Sequence, residues 1–408
     1  MWFSSPSALA LKVLKFSGGA VATAMFSMWL LLRWMQRSMG LAPPTEAQLA
    51  EENHNAHALF RHIPRLKTAL AWRQLGNFPT PIHCGSVISP TSGQLIRFLV
   101  KREDLSSPLY GGNKVRGLQH QIGIIEARTT KQHSPNVIVV GSGGSNQVVA
   151  TTVHMEAAAA GLAGRVKALW ISKDKPDLDN TLNMLSALSF SLAGATTWGG
   201  SVSDTLRELY TAWRNGDIII PPGGNNAAGV LGQVSATLEL AEQIANGECE
   251  DVDTIVLAVG SSCTISGIII GVALAQHLGI RAFQKPNFKI KGIAIHQALA
   301  AARRLGHKLY IDRTPFATLI PSTISNTLVR TCGALSNLGG PDVLKEARRV
   351  LKKHVEVVDD PHYVGLYGGH SEPSLEASRA YDATGTVHDE HGEVSTFCGA
   401  VALIVHTV

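Results

Sequence analysis

Twice in this chain a short apolar run breaks into a loop of glycine and serine and then into a helical stretch of small residues. Asn136–Val140 runs into Gly141-Ser142-Gly143-Gly144-Ser145-Asn146-Gln147, and Val148–Leu162 follows as an alanine-rich helix. Thr254–Val259 runs into Gly260-Ser261-Ser262-Cys263-Thr264, and Ile265–Leu278 follows. Apolar β-branched runs without polar alternation are strands buried on both faces, and such strands belong to parallel sheets covered by helices. In those sheets the strand-to-helix loops lie at the carboxyl ends of the strands, where ligands bind.

The rest of the chain keeps the alternation. Strands are predicted at Leu95–Val100, Val166–Ile171, Ala195–Trp198, Asp217–Ile220 and Lys289–Ile295. Helices are predicted at Gly117–Ala127, Leu182–Leu192, Ser203–Arg214 and Leu231–Ala245. This order predicts an α/β fold with mostly parallel sheets and helices on both faces. A length of 408 residues fits two domains or one large α/β unit.

Composition narrows the function classes. The net charge of +5 is modest, and no basic stripe interleaves with aromatics, which argues against a nucleic-acid partner. The five cysteines are an odd number, and no two are spaced as Cys-x-x-Cys. A disulfide framework and a structural metal site are therefore disfavoured, and a reducing compartment is expected for the catalytic part.

The N-terminus stands apart. Phe16–Leu32 carries no charge and has the length of a short membrane-spanning helix, with Lys12 and Lys15 before it and Arg33 and Arg37 after it. The lack of acids before Glu46 equally suits an organelle transit peptide. Residues 1–45 are accordingly read as an anchor or targeting segment outside the catalytic fold. The protein would then be membrane-anchored or mitochondrial. Ala42-Pro43-Pro44-Thr45 reads as the linker.

One lysine is placed unusually. In Pro108-Leu109-Tyr110-Gly111-Gly112-Asn113-Lys114, Lys114 directly follows a turn of two glycines and an asparagine. Glycine lets backbone crowd a bound ring, and lysine is the side chain that readily forms an imine with a carbonyl cofactor. Taken alone, the tetrapeptide is equally a plain turn beside a solvated lysine. The Gly260–Thr264 loop could hold a phosphate on backbone amides and hydroxyls at a helix start. It is not a Walker loop, and Gly141–Asn146 is not a dinucleotide fingerprint.

Taken in order, the motifs resemble the fold-type II pyridoxal-phosphate enzymes (tryptophan synthase β-like). The nearest branch holds 1-aminocyclopropane-1-carboxylate deaminase and D-cysteine desulfhydrase. The resemblance runs from about Phe78 to about Arg379. It is carried by Lys101-Arg102-Glu103-Asp104, Gly111–Arg116, Ser145-Asn146-Gln147, Pro222–Ala227, Gly260–Gly267, Tyr367-Gly368 and Leu375-Glu376-Ala377. It implies two three-layer α/β domains: a large cofactor-binding one from residues 46–118 and 223–408, and a small one from 119–222. It also implies pyridoxal 5'-phosphate as cofactor, a small amino acid as substrate and a homodimer.

Position by position, the resemblance makes Lys114 the Schiff-base lysine, flanked by Asn113. Asn146 would bond the cofactor's ring hydroxyl, and Gly260, Ser261, Ser262, Cys263 and Thr264 would cradle its phosphate. Ser145 would lie beside the substrate carboxylate, and Tyr367 would be an active-site tyrosine.

The chain also departs from that family. Gly117 stands where the deaminases usually carry a phosphate-binding lysine. After Tyr381 the chain is polar and reads as an inserted loop. Either Thr396–Ala400 is a degraded tyrosine segment, or Ile404–Thr407 is the closing strand; the spacing does not allow both. Asp359–Tyr363 resembles the tyrosine segment but lies too far upstream. No acid stands where the deaminases pair a glutamate with the pyridine nitrogen, and Cys398 would fill that place. The lean is therefore β-elimination from D-cysteine. The alternatives are cyclopropane opening and a truncated inactive homologue acting as a binding protein.

Overall fold

The computed structural model describes residues 30–31, 33–50, 56–130, 132–141, 144–158, 162, 164–170, 178–189, 196–198, 202–295, 323–358, 360, 362, 371–388 and 403–405. Tyr363, Tyr367, Thr396–Ala400 and nearly all of Phe16–Leu32 lie outside them.

Two sheets organise the described residues. The smaller has the order β5-β4-β3-β6, formed by Thr196–Trp198, Val166–Trp170, Val137–Gly141 and Ile218–Ile220. All its pairings are parallel, as the alternation predicts. Its central strand β3 is buried along its whole length, which is why its sequence is a continuous apolar run.

The larger sheet is mixed. Its order is β10-β1-β2-β11-β7-β8-β9, with β1 Ile82–Ile88, β2 Leu95–Lys101, β7 Thr254–Val259, β8 Lys289–Ala294, β9 Val355–Val358, β10 Thr386–His388 and β11 Leu403–Val405. Only β7, β8 and β9 run parallel. The hairpin β1–β2 and the two late strands β10 and β11 pair antiparallel. The β1–β2 hairpin and the two late strands together make this sheet differ from a mostly parallel one. β10 and β11 return from a distant part of the chain, so periodicity within a local window carries no sign of their partners.

Two expectations about the C-terminal region change. The stretch after Tyr381 is not only a loop, because Thr386–His388 adds an edge strand to β1. Of the two readings of the end, the closing strand is the one that coincides with a strand. Ile404 lies between Leu99 of β2 and Ile255 of β7. It thereby joins the strand that leads toward Lys114 to the strand that leads into the Gly260 loop.

The core beneath this sheet is a helix pair, Ala227–Ala245 against Cys263–His277, both rich in small and apolar buried residues. The helix Lys114–Arg128 lies against the first of them. Its approach is so close at Gly232 that a Cβ there would stand 2.0 Å from the Arg116 carbonyl oxygen. Small residues at the crossing are what allow the backbones to touch.

The expected break at residue 45 is not where packing stops. Residues 33–38 are helical, and Met35, with Leu31 and Trp34, joins a cluster with Ile138, Val140, Leu169, Leu209, Ala212 and Ile219. Met39 is fully buried, and the Ala42 carbonyl accepts a bond of 2.8 Å from the Ala71 amide. These residues present apolar side chains to the sheet β3–β4–β6, so burial holds them to the catalytic fold instead of a linker separating them from it. Among the described residues no helix is long and apolar enough to cross a membrane.

Candidate active site

The lysine loop is folded back on itself by its own backbone. The chain leaves β2, turns through Glu103–Ser106, and returns so that the Gly112 amide donates to the Glu103 carbonyl at 2.7 Å. At Gly111 a Cβ would lie 1.8 Å from the Asp104 carbonyl oxygen, so only glycine passes there. Asn113 then opens the helix Lys114–Arg128. Its Nδ2 donates to Thr264 Oγ1 at 3.0 Å, and its carbonyl accepts from Gln233 Nε2 at 2.6 Å. The residue before Lys114 is thus tied to the Gly260–Thr264 loop and to the helix Ala227–Ala245.

Lys114 sits in a place that disfavours its charge. Burial lowers its pKa from the ordinary lysine range, while the nearby Cys263 opposes the shift. A desolvated amine sheds its proton more easily and becomes a nucleophile or base. Cys263 does not compete for that role. Burial raises its thiol to about 11, and its Sγ–H donates to the Gly224 carbonyl at 3.7 Å.

β7 delivers the second loop. Ser262 is buried with φ 64°, and Cys263 begins a fifteen-residue helix. The amides of a helix's first turn have no partner within the helix and gather positive potential, so the loop is suited to an anion. The loop is backed by Pro222–Asn226. A Cβ on Gly223, whose φ is 63°, would lie 2.2 Å from Ser261 Oγ, and Asn225 Nδ2 donates to the Ser261 carbonyl.

The third loop arrives from β3. Ser145 is buried at the start of the helix Asn146–Ala157. Asn146 Oδ1 accepts from Tyr110 Oη and from Asn183 Nδ2, each at 2.9 Å. His154 on the same helix contacts the Tyr110 carbonyl through Nε2 at 3.0 Å. Tyr110, Asn183, Asn225 and Gln233 were not among the expected site residues. Tyr110 and Asn225 lie inside quoted motifs, where their neighbours drew attention. Asn183 and Gln233 sit mid-helix, where nothing local marks them.

The structure therefore brings Asn113, Lys114, Ser145, Asn146 and Gly260–Thr264 to one place, joined by the bonds from Asn113 to Thr264 and from Tyr110 to Asn146. Tyr367 lies outside the described residues. His120 is a packing residue outside this group: burial drops its pKa to about 4, and Nδ1 bonds the Ala71 carbonyl at 3.0 Å.

Residues 74–361 match the family model described as pyridoxal-phosphate dependent enzyme. The chain belongs to that family. Two curated relatives are D-cysteine desulfhydrases. That of Klebsiella pneumoniae subsp. pneumoniae is 28% identical over 248 residues, covering 57% of this chain and 71% of the relative. That of Salmonella schwarzengrund is 27% identical over 307 residues, covering 70% and 83%. Among solved structures, an ACC deaminase homologue aligns at 22% identity with a TM-score of 0.44, covering 76% of this chain and 77% of that one.

The residues present fit the cofactor of this pyridoxal-phosphate-dependent enzyme. A lysine with a lowered pKa supplies the amine for the aldehyde, and the Gly260–Thr264 loop at a helix start is suited to the phosphate. The departure at Gly117 lies at a tight helix crossing. A Cβ there would lie 3.0 Å from the Gly229 carbonyl oxygen and 3.1 Å from its Cα, so a side chain at 117 requires the Gly229 backbone to give by a few tenths of an ångström.

Proposed function

We propose that this pyridoxal-phosphate-dependent enzyme is a lyase that converts D-cysteine and water to pyruvate, sulfide and ammonia. The observation that carries the reading is Lys114: a desolvated amine at a helix start, one residue from the hydrogen bond that joins it to the phosphate-suited loop. The choice of substrate draws on the D-cysteine desulfhydrases that the chain resembles.

When bound, pyridoxal phosphate supplies the electron sink into which the substrate's Cα electron pair passes. The chain supplies position and proton transfer. Lys114 Nζ, whose pKa burial lowers, would take the Cα proton. Ser145 and the start of the helix Asn146–Ala157 receive the substrate carboxylate, because a helix N-terminus favours negative charge. Tyr110 holds Asn146 in place from the lysine loop. The Cβ–S bond then breaks, sulfide leaves, and one water releases ammonia from the remaining three-carbon fragment.

The test is turnover by the purified holoenzyme on D-cysteine, L-cysteine and 1-aminocyclopropane-1-carboxylate, side by side. Pyruvate and sulfide in equal amounts from D-cysteine are expected. 2-Oxobutyrate from the cyclopropane substrate alone would replace the reading with the deaminase. No product from any of the three would favour a binding protein without catalysis.

A further inference from the structure

The Gly260–Thr264 loop lacks the family's lysine, and the helix crossing at Gly117, where that lysine would stand, is tight. A different cation stands behind the loop. Arg330, on the helix Ile324–Asn337, donates from Nη2 to Asn225 Oδ1 at 2.6 Å and to the Asn225 carbonyl at 3.3 Å. Asn225 passes the contact on, with its Nδ2 donating to the Ser261 carbonyl. Thr327, one turn earlier on the same helix, accepts from the same Nδ2 at 3.3 Å. Arg330 Nη1 donates to Gln36 Oε1, so the N-terminal helical stretch grips the guanidinium from the far side.

The direction of one peptide bond makes this chain of contacts matter. A trans peptide points its N–H opposite to its C=O. Asn225 holds the Ser261 carbonyl on the Pro222–Asn226 side, so the Ser262 amide of the same peptide points the other way, out of that backing. Ser262 itself sits at φ 64°, a conformation that costs a residue with a Cβ and persists only where its surroundings enforce it. Hydrogen bonds in a row polarise one another, and here the row begins on a guanidinium.

We propose that Arg330 is a positioning residue for the cofactor's phosphate: through Asn225 it fixes the Ser261–Ser262 peptide, and Gln36 from the N-terminal stretch holds it there. Charge supports the placement. Burial brings the pKa of Arg330 down to about 10, Cys263 pulls it back, and Arg37 and Arg33 press it further down. A phosphate dianion at the loop would relieve that crowding of positive charge. The inference rests on the cofactor assignment and not on the choice of substrate.

The test compares pyridoxal 5'-phosphate with pyridoxal, which lacks the phosphate, on the full chain freed of cofactor. Absorbance at equilibrium gives both dissociation constants. Arg330→Gln should weaken the phosphorylated form about tenfold or more and leave pyridoxal unchanged. Arg330→Lys should recover part of the loss. Equal weakening of both ligands would show a merely structural residue and overturn the inference, as would no change in either. If Arg330→Gln does not fold, Gln36→Leu removes one of the guanidinium's acceptors. It should show the same phosphate-selective loss in smaller degree, and equal effects on both ligands there overturn the inference too. A wild-type chain with no preference for the phosphorylated ligand would instead sink the cofactor assignment beneath it.

Discussion

Arg116, two residues beyond Lys114, holds both carboxylate oxygens of Glu239, at 2.7 Å from Nη1 and 2.8 Å from Nη2. Its remaining donors reach Glu103 at 2.9 and 2.8 Å, and its guanidinium lies 4.0 Å from the centre of the Phe78 ring. Lys101 closes the group, with Nζ 2.6 Å from Glu239 Oε1. All four charged residues are buried, and the two cations balance the two acids. Lysine loop, β2 and the helix Ala227–Ala245 are thereby locked together beneath the site.

Breaking that group should be costly. Removing one partner of a buried ion pair strands the others, at about 3–5 kcal/mol. Glu239→Gln should lower the unfolding free energy measured by denaturant titration by that order. Acid should reproduce the loss in the wild type. Burial pushes the Glu239 pKa up, but Arg116 and Lys101 outweigh it and bring it to about 2. A carboxylate depressed in the folded state contributes stability above its unfolded pKa and loses it as pH falls through the folded value. Stability on the order of 3 kcal/mol should therefore disappear between about pH 4 and pH 2. Glu239→Gln should flatten that slope; an unchanged slope would place the acid sensitivity elsewhere.

The lowered pKa of Lys114 predicts a pH profile. An amine with a lowered pKa is unprotonated at lower pH than a free lysine. Covalent capture of pyridoxal phosphate by borohydride reduction should reach its plateau at lower pH than for a free lysine side chain. Lys114→Arg should capture none. A profile that follows free lysine would mean that burial leaves the amine untouched.

Restoring the family's lysine should fail. Gly117→Lys places a Cβ within 3.0 Å of the Gly229 carbonyl oxygen. Overpacking of this kind costs about 1–3 kcal/mol. The variant should melt earlier in a thermal scan and bind pyridoxal phosphate no more tightly than the wild type. Tighter binding at unchanged stability would show that the crossing tolerates the side chain.

The last strand should matter more than its three residues suggest. Ile404 pairs with Leu99 on one side and Ile255 on the other, in the interior of the larger sheet. Proline there removes a ladder donor between two neighbouring strands, a position that proline does not occupy in interior strands. Ile404→Pro should lower the unfolding midpoint and yield less soluble protein. A variant as stable as the wild type would mean that β2 and β7 do not need the strand between them.

Much of this arrangement is legible locally. Val137–Val140 and Thr254–Val259 are apolar without alternation, and each runs into a loop that begins a helix. That is enough to place strands with ligand-suited loops at their carboxyl ends; β3 is buried and parallel as expected, whereas β7 buries only alternate residues and pairs parallel with β8 but antiparallel with β11. The glycines beside Lys114 and the small residues of Gly260–Thr264 mark the two loops, and their order along the chain marks the family.

What the sequence by itself determined was the alternation and the residues that line the loops, each encoded in a window of a few residues, and the cofactor class, carried by the order of several motifs along the chain. The tertiary structure decided which distant residues meet. Gln36 and Arg330, 294 positions apart, converge behind the Ser261 peptide. Leu403–Val405 enters between two strands that precede it by 300 and 150 residues or so. Residues 33–42, set apart by their lack of acids, pack onto the smaller sheet's side of the fold. None of these has a local signature. A hydrogen bond or strand pairing across the fold depends on where packing carries each end, and no periodicity within either end records its partner.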